Sequence, residues 1–541
     1  MKGFTATLRL VRLALRRDRF TLPVWILGMA GFLTATTAMF DDSYTKHPQL
    51  LGPDTAIVAE NPGMRVLGLV TGPSIGGYTL HRDGLTLAVL AAMMSVLAVV
   101  RHTRQSEELG REEMLRAGVV GRHASLAAAV LVALAANVVL LFTLALGMMI
   151  AGQPAAGSLA GGASIALVGI AFTGVAAVTS QLASTTRGSI GLAGAALGVS
   201  FMLAALGNML GTVDSTALRV TSAWPAWLSP VGWSQQMRPF ADNAWWPLVL
   251  AVLSMAALCF LAIVLVGKRD VGRGMWPERR GAAQASPALL SPTGLVWRLQ
   301  RGAVLGWVVG LLGFGLVFGA LSEQIGGLQG AATEWYRTFG GDVDLLGAYW
   351  ASMMQFAGIV VAIYVVSLLL RLYRDEAQGE LEAVLGTAVS RVRWLRAYAV
   401  NALAGAALLL VVFAVAVALT GGQILGGTGS LLRDLIGAAL LQLPAVGVLG
   451  AAVVAVIMLL PRWSVGLSWA LVVGSIVVGP MFGPALGLPT WLLGLSPFTH
   501  VPNAPAVDPT AGPVLGLCLA AGLLAAAAAL TFRHRNLTLP A

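Results

Sequence analysis

Charge is scarce in this chain. Only 11% of its 541 residues are Asp, Glu, Lys or Arg, against about 25% in an ordinary soluble domain. A solvated globular surface is thereby excluded for most of the length. The 57% hydrophobic content and a mean hydropathy of +0.81 instead place the chain among lipid-embedded proteins, whose apolar surface faces hydrocarbon. Cysteine is almost absent. Cys259 and Cys518 each sit inside an apolar run with no thiol or histidine cluster nearby, so both read as small helix hydrophobes and not as a disulfide or a metal site. No cleavable signal peptide is evident, since a basic start runs into a long apolar span.

Catalytic signatures are missing as well. There is no Gly-x-x-x-x-Gly-Lys-Ser/Thr phosphate loop; Gly267-Lys268-Arg269 lacks both the first glycine and the hydroxyl residue that such a loop needs. No His-Glu-x-x-His appears, nor any His/Cys/carboxylate set at metal spacing. The sequence therefore predicts no catalytic residue, no metal site and no cofactor on this chain.

Long apolar runs are what is present. A bilayer core takes about 20 residues of helix. Twelve windows qualify, near 20–40, 84–100, 124–150, 159–181, 189–210, 246–266, 302–322, 350–370, 397–419, 435–460, 464–483 and 512–532, and none contains Asp, Glu, Lys, Arg or His. The expected fold is all-α, a polytopic membrane protein. Lys and Arg are retained on the cytoplasmic side of short loops. With the N-terminus inside, 27 of the 34 Lys and Arg residues fall on that side, so both termini are expected in the cytoplasm. The formal charge of +10 is then a topology signal, and no nucleic-acid partner is implied.

The landmarks repeat. Arg101-x-x-Arg104, Gly110-Arg-Glu112-Glu113 and Arg122 in the loop after the second span reappear as Arg371-x-x-Arg374, Gly379-Glu380-Leu-Glu382 and Arg391. Gly to Glu is three residues in both loops, and Gly to Arg is twelve. Arg16, Arg19, Trp25 and Gly28 recur at the same spacing as Arg298, Arg301, Trp307 and Gly310. Ser229-Pro230 answers Ser496-Pro497 before the last span of each half, and Arg269-Asp270 answers Arg533-His534-Arg535 after it. The chain is thus expected to be two homologous six-helix halves, 1–275 and 293–541, joined by a cytoplasmic linker at 276–292.

Without a nucleotide pocket, energy must come from an ion gradient or a partner. Proton-coupled carriers usually keep an ionisable group inside the membrane, and the twelve windows hold none, which favours a partner. Two loops present themselves for docking. In 101–123 and 371–396, Gly110, Glu112, Glu113, Gly379, Glu380 and Glu382 would build a short helix offering Glu113 and Glu382 to another protein. Arg122 and Arg391 would anchor the helix end at the headgroups; the plain alternative is a solvated charged loop. Gly110-Arg-Glu-Glu has no identical counterpart in Gly379-Glu-Leu-Glu, so the two docking faces are expected to be unequal. Residues 1–19 form a basic amphipathic helix, with Arg9, Arg12, Arg16 and Arg19 against Phe4, Leu8, Val11 and Leu15. It is either a topology anchor or a surface helix that links membrane and partner. Residues 293–301 look like a shorter version. The Trp/Pro-rich stretches 211–245 and 484–511 read either as re-entrant segments or as an ordinary aromatic belt.

This ordered set resembles the type-2 ATP-binding-cassette permeases. The duplicated single chain, with Leu495-Ser-Pro-Phe-Thr-His500 near its end, is similar to the actinobacterial polyketide-antibiotic (tetronasin-type) exporter permeases. The resemblance implies two copies of a separate ATPase subunit carrying ATP and Mg, coupling through 101–123 and 371–396, and export of lipophilic small molecules such as antibiotics from the bacterial plasma membrane. It also implies a substrate path along the second and fifth spans of each half. Met93, Met94, Phe201, Met202, Asn208, Tyr349, Trp350, Met353, Gln355, Met481 and Phe482 would line it; Met and aromatic side chains repack around varied ligands. Helix–helix or lipid contact is the plainer role for any one of them. The competing reading is a twelve-helix drug/proton antiporter, although Glu107-Glu108-Leu-Gly-Arg is not the acidic-basic loop of that family. A membrane scaffold without transport is a third.

Overall fold

The computed structural model describes residues 2–60, 62–216, 218–270, 272–276, 283–320, 322, 345–425, 427–480, 483 and 488–535. Twelve helices among them are long and apolar enough to cross a membrane, as the apolar windows require. The sole strands described are the two-residue pair Thr212–Val213 and Val220–Thr221. The chain is an all-α, polytopic membrane protein. It divides into two compact units, Met1–Gly281 and Ala282–Ala541.

In the first unit a short helix, α1 (Thr7–Arg17), precedes α2 (Thr21–Lys46) and α3 (Ile75–His102). A six-residue helix, α4 (Arg111–Arg116), leads into α5 (Ala124–Ile150), α6 (Ala155–Leu182), α7 (Thr186–Met209) and α8 (Trp246–Lys268). The buried helix is α6. It is rich in Gly, Ala and Ser, and small residues let helix backbones approach closely where lipid supplies no hydrophobic drive between helices. Gly169 shows the fit: a Cβ there would lie 1.9 Å from Asn137 Oδ1 on α5. The amide of Asn137 in turn donates to Ser95 Oγ of α3 at 2.8 Å. Bonds of this kind between membrane helices are worth about 0.6 kcal/mol each.

The second unit repeats the succession with α9 (Pro292–Ala320), α10 (Leu345–Ala377), the six-residue α11 (Glu380–Leu385) and α12 (Arg391–Leu425). α13 (Thr428–Leu440) and α14 (Leu443–Leu459) together form one span, followed by α15 (Ser464–Val478) and α16 (Ala511–His534). Its core is larger and more aromatic, built on Tyr349, Trp350, Trp394, Tyr398 and Phe413.

Two expectations change. Residues 293–301 are no separate surface helix, because they continue unbroken into α9; nothing between Val296 and Gly310 breaks the helical pattern. The second span does not begin at 84 either. α3 starts at Ile75 behind Ser74, whose side chain caps the Gly77 amide at 3.2 Å, and so takes in His81, Arg82 and Asp83. The span is therefore not free of ionisable groups. Asp83 and His81 are buried, with Asp83 Oδ2 lacking a partner among the described residues. At 1.5 Å per residue, Asp83 lies about 27 Å along the axis from Arg101, near one margin of an apolar core about 30 Å thick.

Candidate functional site

The charged loops after α3 and α10 are built alike. Each long helix ends, the chain turns on a glycine with positive φ (Gly110 at 67°, Gly379 at 77°), and six helical residues follow. An L residue with a side chain resists that backbone geometry, so the glycine of Gly-x-x-Glu reverses the chain. Both second-position side chains face inward: Glu112 is 3% exposed and accepts from Ser125 Oγ at 3.0 Å, while Leu381 is 1% exposed. Both third-position carboxylates, Glu113 and Glu382, face outward. The Glu/Leu difference between the loops thus falls on the inward face. The unequal outward position is the first, where Arg111 and Glu380, both exposed, carry opposite charge.

Around α4, side chains join the ends of six spanning helices. Asp18, just before α2, has a fully buried side chain between Arg101 (2.5 Å) and His102 (2.6 Å) of α3. Burial pushes its carboxyl up, but the hydrogen bonds and charges of His102 and Arg101 outweigh that and hold it below the usual carboxylate range. Arg104 is 0% exposed. It donates to the Ser180 carbonyl at the end of α6 (2.6 and 3.0 Å) and to Glu107 (2.7 Å). Glu107 also receives Arg269, which follows α8, at 2.9 Å, and Gln181 accepts from the same guanidinium at 2.8 Å. Two guanidiniums share one carboxylate here; helix-terminal carbonyls, the negative pole of the helix dipole, offset the surplus. Glu108 caps the start of α7, taking the Thr186 amide at 2.7 Å. Ser125 of α5 holds Glu112, as above.

The second unit reaches the same result with fewer residues. Arg535, just past α16, pairs with Glu376 and donates to the Ile457 (2.9 Å) and Met458 (3.2 Å) carbonyls that end α14. One guanidinium does what Arg104 and Arg269 divide between them. Asp375 accepts from the Tyr398 hydroxyl of α12 and lies 3.7 Å from Arg371, and Arg371 donates to the Leu299 carbonyl of α9 at 3.1 Å.

Arg122 and Arg391 are spent on protein. Arg122 donates to the Arg269 carbonyl at 3.1 Å; Arg391 donates to the Phe532 (3.0 Å) and Arg535 (2.5 Å) carbonyls and lies over the Phe532 ring. Each clamps the C-terminal end of its unit's last helix, where a cation complements the dipole, in place of the headgroup contact expected of it. The sequence reading passed over Glu107, Glu376, Arg269 and Arg535 as site residues. Recurrence of Arg269 and Arg535 after the sixth span was the available signal, and an acid near each second-span end was its complement.

The residues expected along a substrate path separate. Met93 and Met202 (53% exposed) are accessible and Phe201 partly so. Met94, Tyr349, Trp350, Met353 and Gln355 are buried. Asn208 is buried with both amide ends occupied: it donates to Gln235 Oε1 (2.7 Å) and the Arg65 carbonyl (3.2 Å), and accepts from Ser222 (2.7 Å). It latches α7 to the Trp/Pro-rich stretch, which packs Ala226, Val231 and Met237 fully inside the protein while Trp224 and Leu228 stay exposed. Met481 and Phe482 lie outside the described residues. No group of three or more His, Cys, Asp or Glu side chains that could hold a metal ion occurs among the described residues.

Over residues 9–266 and 289–533 the chain matches the family described as "Multidrug efflux system permease Rv1217c, C-terminal domain". It is 38% identical over 539 residues to the multidrug efflux system permease protein Rv1217c of Mycobacterium tuberculosis (strain ATCC 25618 / H37Rv), an alignment covering 99% of this chain and 96% of that protein.

Proposed function

This chain belongs to the multidrug efflux system permease Rv1217c family, and from that premise we propose that it exports lipophilic compounds with power supplied by a separate ATPase. The coarser statement stands by itself: the chain is an efflux permease, a multi-pass protein of the bacterial plasma membrane. In the finer reading the termini and the α4 and α11 loops face the cytoplasm. Two copies of an ATP-binding-cassette subunit, which carry the ATP and Mg, dock there. The chain itself contributes no catalytic residue and no cofactor. Antibiotics of the lipophilic kind carried by tetronasin-type exporters fit the accessible Met93, Phe201 and Met202.

One observation carries the coupling. An outward carboxylate, Glu113 or Glu382, stands on a short helix whose loop is bonded to the ends of several spanning helices of its unit. A push on that helix is delivered to all of them together, because buried charge pairs resist separation: breaking one by removing a partner costs about 3–5 kcal/mol. The proton-antiporter alternative gains little from Asp83. Counting back from Arg371 by the same 18 residues arrives at Met353, so the second span of the second unit carries no acid at the matching position.

The test is Glu113→Ala combined with Glu382→Ala in the complex assembled with its ATPase. The chain should remain in the membrane and monodisperse, and substrate-stimulated ATP hydrolysis should fall to the basal rate. Unchanged stimulation removes the docking assignment. Transport that persists in ATP-depleted vesicles under a proton gradient would replace the whole reading with the antiporter.

A further inference from the structure

One feature of the first unit borders this coupling network without being explained by it. Between α1, α4 and α5 lies a cleft of about 280 Å³, near the small end of the usual range for ligand sites, about 300–1,000 Å³. Three helix faces converge on it. Leu10, Leu13, Ala14 and Arg17 recur at three- and four-residue steps on α1, Arg111, Met114 and Leu115 do so on α4, Ser125 and Ala128 come from α5, and His102, at the end of α3, and Ser106 complete the lining. The walls are therefore apolar, with two guanidiniums beside them. Arg17 and Arg111 make no ion pair or hydrogen bond among the described residues, and the acid nearest Arg17, Asp18, is already committed to Arg101 and His102. Burial, and then the like charges of Arg111 and Arg101, lower the proton affinity of Arg17. Leu8 of α1 (79% exposed) and Met114 of α4 (71% exposed) place apolar surface next to the cleft, as expected where a helix rests in the headgroup and acyl boundary.

We propose that this cleft binds one anionic phospholipid, its phosphate between Arg17 and Arg111 and the start of an acyl chain against Leu10, Leu13 and Met114. Two unneutralised guanidiniums above an apolar slot match the two parts of such a lipid, and basic pockets at the membrane boundary favour anionic headgroups. A zwitterionic lipid offers the same chain but sets an ammonium beside the arginines. A free phosphate satisfies the guanidiniums and leaves the apolar walls uncovered. The bound lipid joins α1 to α4 across a gap that protein side chains leave open.

The full chain, purified in detergent, is titrated in native mass spectrometry with phosphatidylglycerol or phosphatidylethanolamine of identical acyl chains. One phosphatidylglycerol should bind about ten- to thirty-fold tighter, roughly the preference two guanidiniums near an anionic lipid supply. Its binding should slow amide exchange in residues 7–17 and 111–116. Arg17→Gln with Arg111→Gln should erase the preference, and the paired Arg→Lys variant should keep most of it. Equal affinity of the wild-type chain for the two lipids overturns the proposal, as does an unchanged preference in the Gln pair or protection confined to other helices. Displacement of phosphatidylglycerol by millimolar inorganic phosphate also overturns it, because the cleft would then be a free-anion site. Should the Gln pair fail to fold, the wild-type lipid preference and its exchange map still decide.

Discussion

A carboxylate removed from water has to be matched, and Asp18 is matched twice, by Arg101 and by His102. Both partners stabilise its ionised form, so its proton affinity is lower folded than unfolded. The sign follows from linkage: the stabilisation is fully present above the ordinary carboxylate value, about 3.9, and is lost as pH falls through the lower folded value. Asp18→Asn should therefore cost about 3 kcal/mol at neutral pH, since it leaves a guanidinium without its buried acid. The variant should also flatten the acid limb of a melting profile recorded between pH 3 and 7. An acid limb identical to wild type would remove Asp18 from the account. Nothing local in the sequence marks Asp18, because its partners lie 83 and 84 residues away and only the packing of α2 against α3 brings them together.

At the scale of elements, the turning glycines make the strongest local claim. Space around the Gly110 Cβ position is open, so Gly110→Ala meets a backbone penalty alone, about 1–2 kcal/mol for a side chain in the left-handed region. Gly110→Ala and Gly379→Ala should each speed amide exchange within its own six-residue helix, and the pair should weaken ATPase stimulation while the spanning helices keep their protection. Equal loss of protection throughout the unit would mean that the glycines serve general stability. These loops were legible beforehand, since a glycine and a glutamate at fixed spacing, twice over, announce a turn and a short helix. The start of α3 was not. His81, Arg82 and Asp83 read as a loop by hydropathy, yet His81 bonds the Gly68 carbonyl at 3.1 Å and Arg82 lies over the Phe40 ring. Tertiary partners that no window average contains let the helix run on. The inward turn of Glu112 was equally hidden, since its partner Ser125 belongs to another helix.

At the scale of the whole chain, apolar length is the most readable quantity, and it yields the twelve helices directly. Orientation rests on the distribution of Lys and Arg, and it has its own test. Cys259 and Cys518 are replaced by Ser and single cysteines are placed at Thr216 and Ser390, both exposed. An impermeant maleimide should label position 216 in intact cells and position 390 only after permeabilisation; the reverse pattern inverts the topology. The manner in which the charged loops grip the remaining helices was illegible because each grip joins residues of different helices, many of them far apart in sequence. One such grip bears on biosynthesis. Arg269 emerges directly behind the sixth span, so the first unit holds all its own fastenings before the ribosome reaches the second. Arg535 follows the twelfth span and fastens three segments by itself, so that latch of the second unit stays open until the span has been translated. The latch at Arg535 is therefore the last of the chain to become available to insertion factors and quality-control proteases.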